Sequence, residues 1–265
     1  MRAWFVVLLL ALGGAGEARA ADAFATDWAP AQEAAARLVA GGPNDAALEI
    51  RLAPGAITYW RDPGESGAPP SFDFSASVNV ARVEALFPAP TRIVEPDGSE
   101  AFGYRDEAAF PIAVEARDPT KPAALALRLT YAVCAKLCLP AKANLTLTLP
   151  AAGATPYAAT VAAARAATPR RVDFSALGAK LTALDARDWR LCLPAAPGPP
   201  RDLFIEAPEG WFLTTKAAPG PAGRDCFAIA IEEQPKGGAP PLAVRATIVG
   251  GDGAVEAALS LGAGD

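Results

Sequence analysis

The chain has 265 residues, with 24 basic against 29 acidic side chains, a net charge of −5 and no histidine. An acidic chain is poorly suited to hold nucleic acid or anionic lipid. Without histidine it cannot build a Ser-His-Asp or Cys-His mechanism or a His-based zinc site, and with Met1 as its only methionine a Met/His copper carrier is disfavoured too.

From the amino terminus, Met1-Arg2 leads into an apolar run over 3–12 and then Ala18-Arg19-Ala20. A charged start, a short apolar core and a small-x-small site predict a secretory signal over 1–20, cleaved after Ala20. The run is too short for a comfortable membrane span. Cleavage would remove Arg2, Glu17 and Arg19, taking the charge from −5 to −6. Export to an oxidising compartment follows as the expectation, and there disulfides persist.

Proline (26) and glycine (23) cut the rest into short, mostly alternating apolar segments. Strands are expected over 46–55 (ending in a turn), 107–116, 124–133 and 143–150. The second half repeats the style over 188–194, 202–208, 225–233, 242–250 and 254–261. Many short strands separated by turn residues predict an all-β protein of sandwiches. The Ala-rich stretch 156–171 reads as a linker or short helix. The expected organisation is a β-sandwich over 21–150, a linker over 151–172 and a smaller β domain over 173–265. No glycine-rich phosphate loop is present, and no carboxylate pair is marked out for acid–base work. Sulfur carries the distinctive chemistry.

Cys134 and Cys138 lie in YAVCAKLCLP, where an alternating run meets a proline. Leu125, Leu127, Leu129, Tyr131 and Val133 share one face of the first strand, and Cys134 continues the other. The runs on either side look like adjacent strands joined through the cysteines. Residues four apart in an extended strand are ~13 Å apart, beyond disulfide reach of roughly 4.4–6.8 Å, so the backbone must turn at 135–137. A loop this small is a weak staple, which favours a redox pair placed at a strand end. The alternatives are a structural disulfide and a thiolate copper or zinc clip. Two sulfurs without His or Met make an incomplete metal site, so no metal is expected. Cys192 and Cys226 fall on the small-residue faces of two strands, where a structural cross-strand disulfide is expected. Four cysteines permit three connectivities, and 134–192 with 138–226 stays open.

Three segments carry a resemblance. Residues 52–80, 87–114 and 131–147 resemble, in order, the amino-terminal periplasmic domain of DsbD/ScsB-type thiol:disulfide interchange proteins, and the similarity extends over about 34–150. The second β domain is similar, less specifically, to the region before the membrane domain in the ScsB-like branch. The resemblance implies an immunoglobulin-like sandwich whose cysteine pair takes electrons from a thioredoxin-like partner and passes them to exported proteins. Cys134 and Cys138 match the family's redox pair, at a spacing shorter than in the best-known DsbD domains. FGYRDE (102–107) resembles the loop that caps the pair, which makes Phe102 and Tyr104 cap candidates. Tyr59 corresponds approximately to a family aromatic near the active site. Core or turn packing is the alternative for all three aromatics. Asp106 and Glu107 are candidates for tuning the thiols, or solvated turn carboxylates, and Lys136 for favouring a thiolate.

DsbD proteins continue into a membrane domain and a thioredoxin-like domain, and this sequence ends at Asp265 before either. The expected partners are therefore a separate thioredoxin-like electron donor and exported disulfide-bearing proteins, with a separate membrane electron carrier as a further candidate. No bound cofactor is required. A non-catalytic binding or assembly module with two structural disulfides is the competing expectation.

Overall fold

In a computed structural model, residues 22–95, 98–251 and 253–262 are described. The signal expected over 1–20 lies outside them. Eleven strands make the first half: β1 (Ala29–Ala31), β2 (Ala34–Gly42), β3 (Asp45–Leu52), β4 (Ile57–Gly64), β5 (Ser71–Asp73), β6 (Val80–Ala85), β7 (Thr91–Val94), β8 (Glu100–Arg105), β9 (Glu107–Ala116), β10 (Ala124–Cys134) and β11 (Cys138–Thr148). They form two antiparallel sheets, β1-β2-β3-β9-β6 and β11-β10-β4-β8-β7, with β5 also laid on β10. The class is all-β, an immunoglobulin-like sandwich.

Period-two alternation accounts for this core. Leu125, Leu127 and Leu129 of β10 are buried, as are Leu145 and Leu147 of β11, which stand opposite Leu127 and Leu125. They meet Leu38, Leu48, Ile50, Phe110 and Ile112 of the facing sheet. Burying side chains from both inner faces is what holds two sheets together.

The Ala-rich segment forms helix α1 (Ala158–Ala166), which buries Val161 and Ala164 against Val39 and Ala47 of the first sandwich. A Cβ on Gly41 would lie 2.9 Å from Cβ of Val161, so glycine lets the helix approach the strand. The segment between the sandwiches is thus packed against the first of them.

The second half comprises β12 (Arg170–Arg171), β13 (Lys180–Ala183), β14 (Asp188–Pro194), β15 (Asp202–Glu206), β16 (Phe212–Ala218), β17 (Arg224–Glu233), β18 (Leu242–Gly250) and β19 (Gly253–Leu261). These form two four-stranded sheets, β12-β19-β18-β15 and β13-β14-β17-β16, around Trp189, Leu191, Phe227, Ile229, Val244 and Ile248. No helix among the described residues is long and apolar enough to cross a membrane.

The two sandwiches share a core. Phe204 of β15 is 1% exposed and belongs to the first sandwich's apolar cluster, where it meets Trp60 and Phe102 edge-on at 5.9 and 4.9 Å between centroids. Arg92 grips Asp202 through three bonds of 2.9, 3.0 and 3.3 Å, and Arg61 grips Glu206 through two of 2.6 and 2.8 Å.

Candidate functional site

Antiparallel β10 and β11 run in register from Ala124↔Thr148 to Cys134↔Cys138, so the two cysteines face each other at the tip. Ala135, Lys136 and Leu137 form the turn, closed by the Ala135 amide donating to the Leu137 carbonyl at 3.3 Å. The cysteines are joined, with Cα atoms 4.0 Å apart. Cys192 and Cys226 are joined across β14 and β17, Cα atoms 4.1 Å apart. No cysteine among the described residues is free.

The sulfurs of the first pair have unequal surroundings. Cys134 pairs on its other side with Ile57 of β4, is 4% exposed and packs among Ile57, Tyr59, Ile93 and Ala101. Cys138, at the start of edge strand β11, is exposed, and Leu137 beside it is 71% exposed. An attacking thiolate must approach a disulfide sulfur directly, and of the two residues Cys138 is the one on the solvent side.

Tyr59 addresses both sulfurs. Its hydroxyl donates to Cys134 Sγ at 2.7 Å and lies 3.6 Å from Cys138 Sγ. Burial, and secondarily the charge of Glu95, hold this phenol above the usual tyrosine range, so it stays a proton donor at neutral pH. The chain between β4 and β5 passes over the ring. A Cβ on Gly67 would sit 2.2 Å from Tyr59 Cε1, and Gly67 has φ +103°, so glycine meets both requirements. Past this crossing lies a recess of about 310 Å³, bordered by Gly67, Pro69, Ala132, Leu139, Pro140 and both cysteines. A larger space of about 490 Å³ lies elsewhere, between Trp28, Arg51, Glu107 and α1, and no sulfur borders it.

Other expected site residues are placed differently. Phe102 and Tyr104 do not cover the pair. On β8, Ala101 faces the sulfur cluster, and one-residue alternation turns Phe102 and Tyr104 to the opposite face. There Phe102 meets Phe204, and the Tyr104 hydroxyl donates to the Pro88 carbonyl at 2.9 Å. Asp106 and Glu107 are exposed where the chain crosses between sheets. Asp106 takes a left-handed φ of 61°, and Glu107 stands opposite Arg51 of β3 in the other sheet. The structure therefore brings Tyr59 to the cysteines and leaves these four away. Gly67 and Glu95 belong to the surroundings and were not foreseen; a glycine before Ala-Pro-Pro signals a turn, but not what the turn covers. Among the described residues, no group of three or more Cys, Asp or Glu side chains converges as a metal site.

A twin-sandwich protein with a hydrogen-bonded disulfide at a hairpin tip is the class that fold and site define, and comparison with known proteins narrows it. Residues 25–150 match the family "Thiol:disulfide interchange protein DsbD, N-terminal". That segment is thus similar to the amino-terminal domain of DsbD-type thiol:disulfide interchange proteins. The fold matches the N-terminal periplasmic domain of ScsB from Proteus mirabilis over 92% of this chain and 100% of that one, with a TM-score of 0.71 at 21% identity. Surface layer protein SbsC, domains 4–9, aligns at a TM-score of 0.21 and 10% identity, over 84% of this chain and 29% of that one. A marsupial T cell receptor aligns at 0.20 and 11%, over 89% and 100%. Neither carries weight. No curated protein matches the sequence.

Proposed function

We propose that this chain is an exported, periplasmic thiol:disulfide interchange protein that relays reducing equivalents through Cys134–Cys138. One observation carries the reading: a disulfide between an exposed residue, Cys138, and a buried one, Cys134, whose sulfur accepts a hydrogen bond from Tyr59.

A thiolate of a thioredoxin-like donor attacks Cys138 Sγ. A donor–Cys138 disulfide forms, the Cys134–Cys138 bond breaks, and the electron pair leaves on Cys134 Sγ, where the Tyr59 hydroxyl steadies the new thiolate. The donor's second thiolate then attacks its own sulfur in the mixed disulfide and releases Cys138. The chain now holds two thiols and the donor one disulfide. In the second half, the Cys138 thiolate attacks an exported protein's disulfide, and Cys134 resolves the mixed species by re-forming the original bond. Two electrons and two protons pass through, and no bound cofactor enters the balance. The domain organisation proposed is a redox sandwich over 21–150, a connecting segment over 151–172 and a second sandwich over 173–265.

Cys134→Ser leaves the exposed thiol without its resolving partner, so it should accumulate a dithiothreitol-reducible complex with a protein partner in periplasmic extract. Cys138→Ser, keeping only the buried thiol, should not. The bands are read by non-reducing gel and mass identification. Graded dithiothreitol should open Cys134–Cys138 before Cys192–Cys226. If neither substitution traps a partner and both pairs open together only under denaturant, the relay fails and a binding module with two structural disulfides takes its place.

A further inference from the structure

The segment of β4 that follows Tyr59 leaves its ladder. Ile57, Thr58 and Tyr59 pair with β8, and the pairing resumes only at Gly64, opposite Ala101; Trp60, Arg61, Asp62 and Pro63 bulge out of register. On its other side β4 shares a ladder pair with β10 only at Ile57, opposite Cys134, and adds the side-chain bonds of Thr58 to the Ala132 carbonyl and of Tyr59 to Cys134 Sγ. A bulged stretch needs other contacts to fix it. The first sandwich supplies some of them, burying Trp60 in its core and setting Phe87 beneath Arg61, and the second sandwich supplies others. Trp60 packs edge-on against Phe204, and Arg61 is gripped by Glu206 and by Glu256 of β19. Arg61 also lies over the Trp60 ring, 4.4 Å from its centroid, which ties the two anchors together.

We propose that Phe204 and Glu206 are positioning residues for the exchange reaction, acting through Trp60 and Arg61 to hold the Tyr59 hydroxyl on Cys134 Sγ. The proposal rests on the redox reading above. It concerns the step in which an incoming thiolate bonds to Cys138 Sγ, the Cys134–Cys138 bond breaks and the electron pair leaves on Cys134. Cys134 sits in an apolar cluster, where a developing thiolate without a donor is costly. A shift of about 1 Å in the phenol forfeits most of the hydrogen bond that offsets this cost. The second sandwich is then part of the redox site although none of its described residues joins the apolar cluster around Cys134 or borders the recess beside the pair.

A double-substitution cycle on the whole chain tests this, reading the rate at which dithiothreitol opens Cys134–Cys138 by mass mapping of acid-quenched samples. Tyr59→Phe should slow opening on the order of tenfold, and Glu206→Ala or Phe204→Leu about threefold. In the Tyr59→Phe background, either second-sandwich substitution should change the rate by less than about twofold, because the group they position is gone. A contact that merely supports the fold would lower the urea midpoint and act alike in both backgrounds. Phe204→Leu keeps an apolar side chain in the shared core, and Glu206→Ala removes a partly buried carboxylate, so the two probe separate anchors. Equal effects with and without the Tyr59 hydroxyl, or unchanged rates in both variants, overturn the proposal and leave the redox reading standing. If the unsubstituted pair opens no faster than Cys192–Cys226, the redox reading itself fails and the proposal falls with it.

Discussion

The Tyr59 hydroxyl stands 2.7 Å from the sulfur of Cys134, a residue 75 positions away in sequence. The contact joins β4 to the tip of the β10–β11 hairpin and is closer than the 3.6 Å from the same hydroxyl to the sulfur of Cys138. In the proposed exchange it gives the disulfide a direction, with Cys138 attacked and Cys134 leaving.

The first prediction concerns pH. Burial and the charge of Glu95 raise the phenol's ionisation above the usual tyrosine range near 10, so the neutral, donating form persists wherever ordinary thiols titrate. The slowing caused by Tyr59→Phe should therefore be uniform from about pH 6 to about pH 9 once the attacking thiolate's own titration is divided out. Stopped-flow reduction at fixed thiolate concentration measures it. A deficit that fades across this range would mean that the phenol loses its proton there.

Gly67 offers a second test. Gly67→Ala places a methyl against the Tyr59 ring in a backbone conformation that alanine rarely adopts. It should cost about 2 kcal/mol by urea denaturation, from strain and displacement together, and should slow the opening of Cys134–Cys138. An unchanged midpoint with an unchanged rate would show that the loop does not rest on the ring.

The two disulfides should differ as staples. By chain entropy, closing the loop between Cys134 and Cys138 is worth about 2 kcal/mol and that between Cys192 and Cys226 about 3.8 kcal/mol. Replacing the first pair by serine should lower the urea midpoint less than replacing the second, with unchanged slopes. The reverse order would assign the holding role to the hairpin pair.

Asp62 gives a stability difference with a definite sign. Burial raises its carboxyl above the usual value, a 3.1 Å hydrogen bond from the Gly64 amide opposes the rise, and the charge of Glu206 adds to it. A carboxyl raised on folding supports the fold while protonated, below the ordinary range, and loses that support as pH climbs through its raised value. Asp62→Asn, which can still accept from Gly64, should raise the urea midpoint at about pH 7 and leave it unchanged at about pH 3. A lower midpoint at neutral pH would show that the charge helps to hold the bulge.

Strands with one buried and one open face were legible in the sequence. Leu125 to Val133 and Leu145 to Leu149 alternate because solvent takes every second residue, and the core-facing residues are the ones read from the pattern. β2 gave no such signal. From Leu38 to Gly42 it is buried on both faces, because α1 covers the side that would otherwise be polar. The sulfur pair was legible from its spacing, and Tyr59 from resemblance. Phe102 and Tyr104 were misplaced by the parity of one strand, since a residue's neighbourhood inverts with a single step along it. Gly67, Glu95, Arg61 and Phe204 were beyond local reading, because each acts on residues that the fold brings near and no short-range pattern records.

Phe204 lies well past residue 150, where the family segment ends, yet it fills space among Trp60, Phe102 and their neighbours. A boundary drawn from sequence kinship thus cuts through shared interior. A fragment ending at 150 would carry an aromatic crater on its surface, open to water or to another copy's crater. Its chemistry would be that of a loosened relative of the intact protein, and rates measured on it would describe the relative.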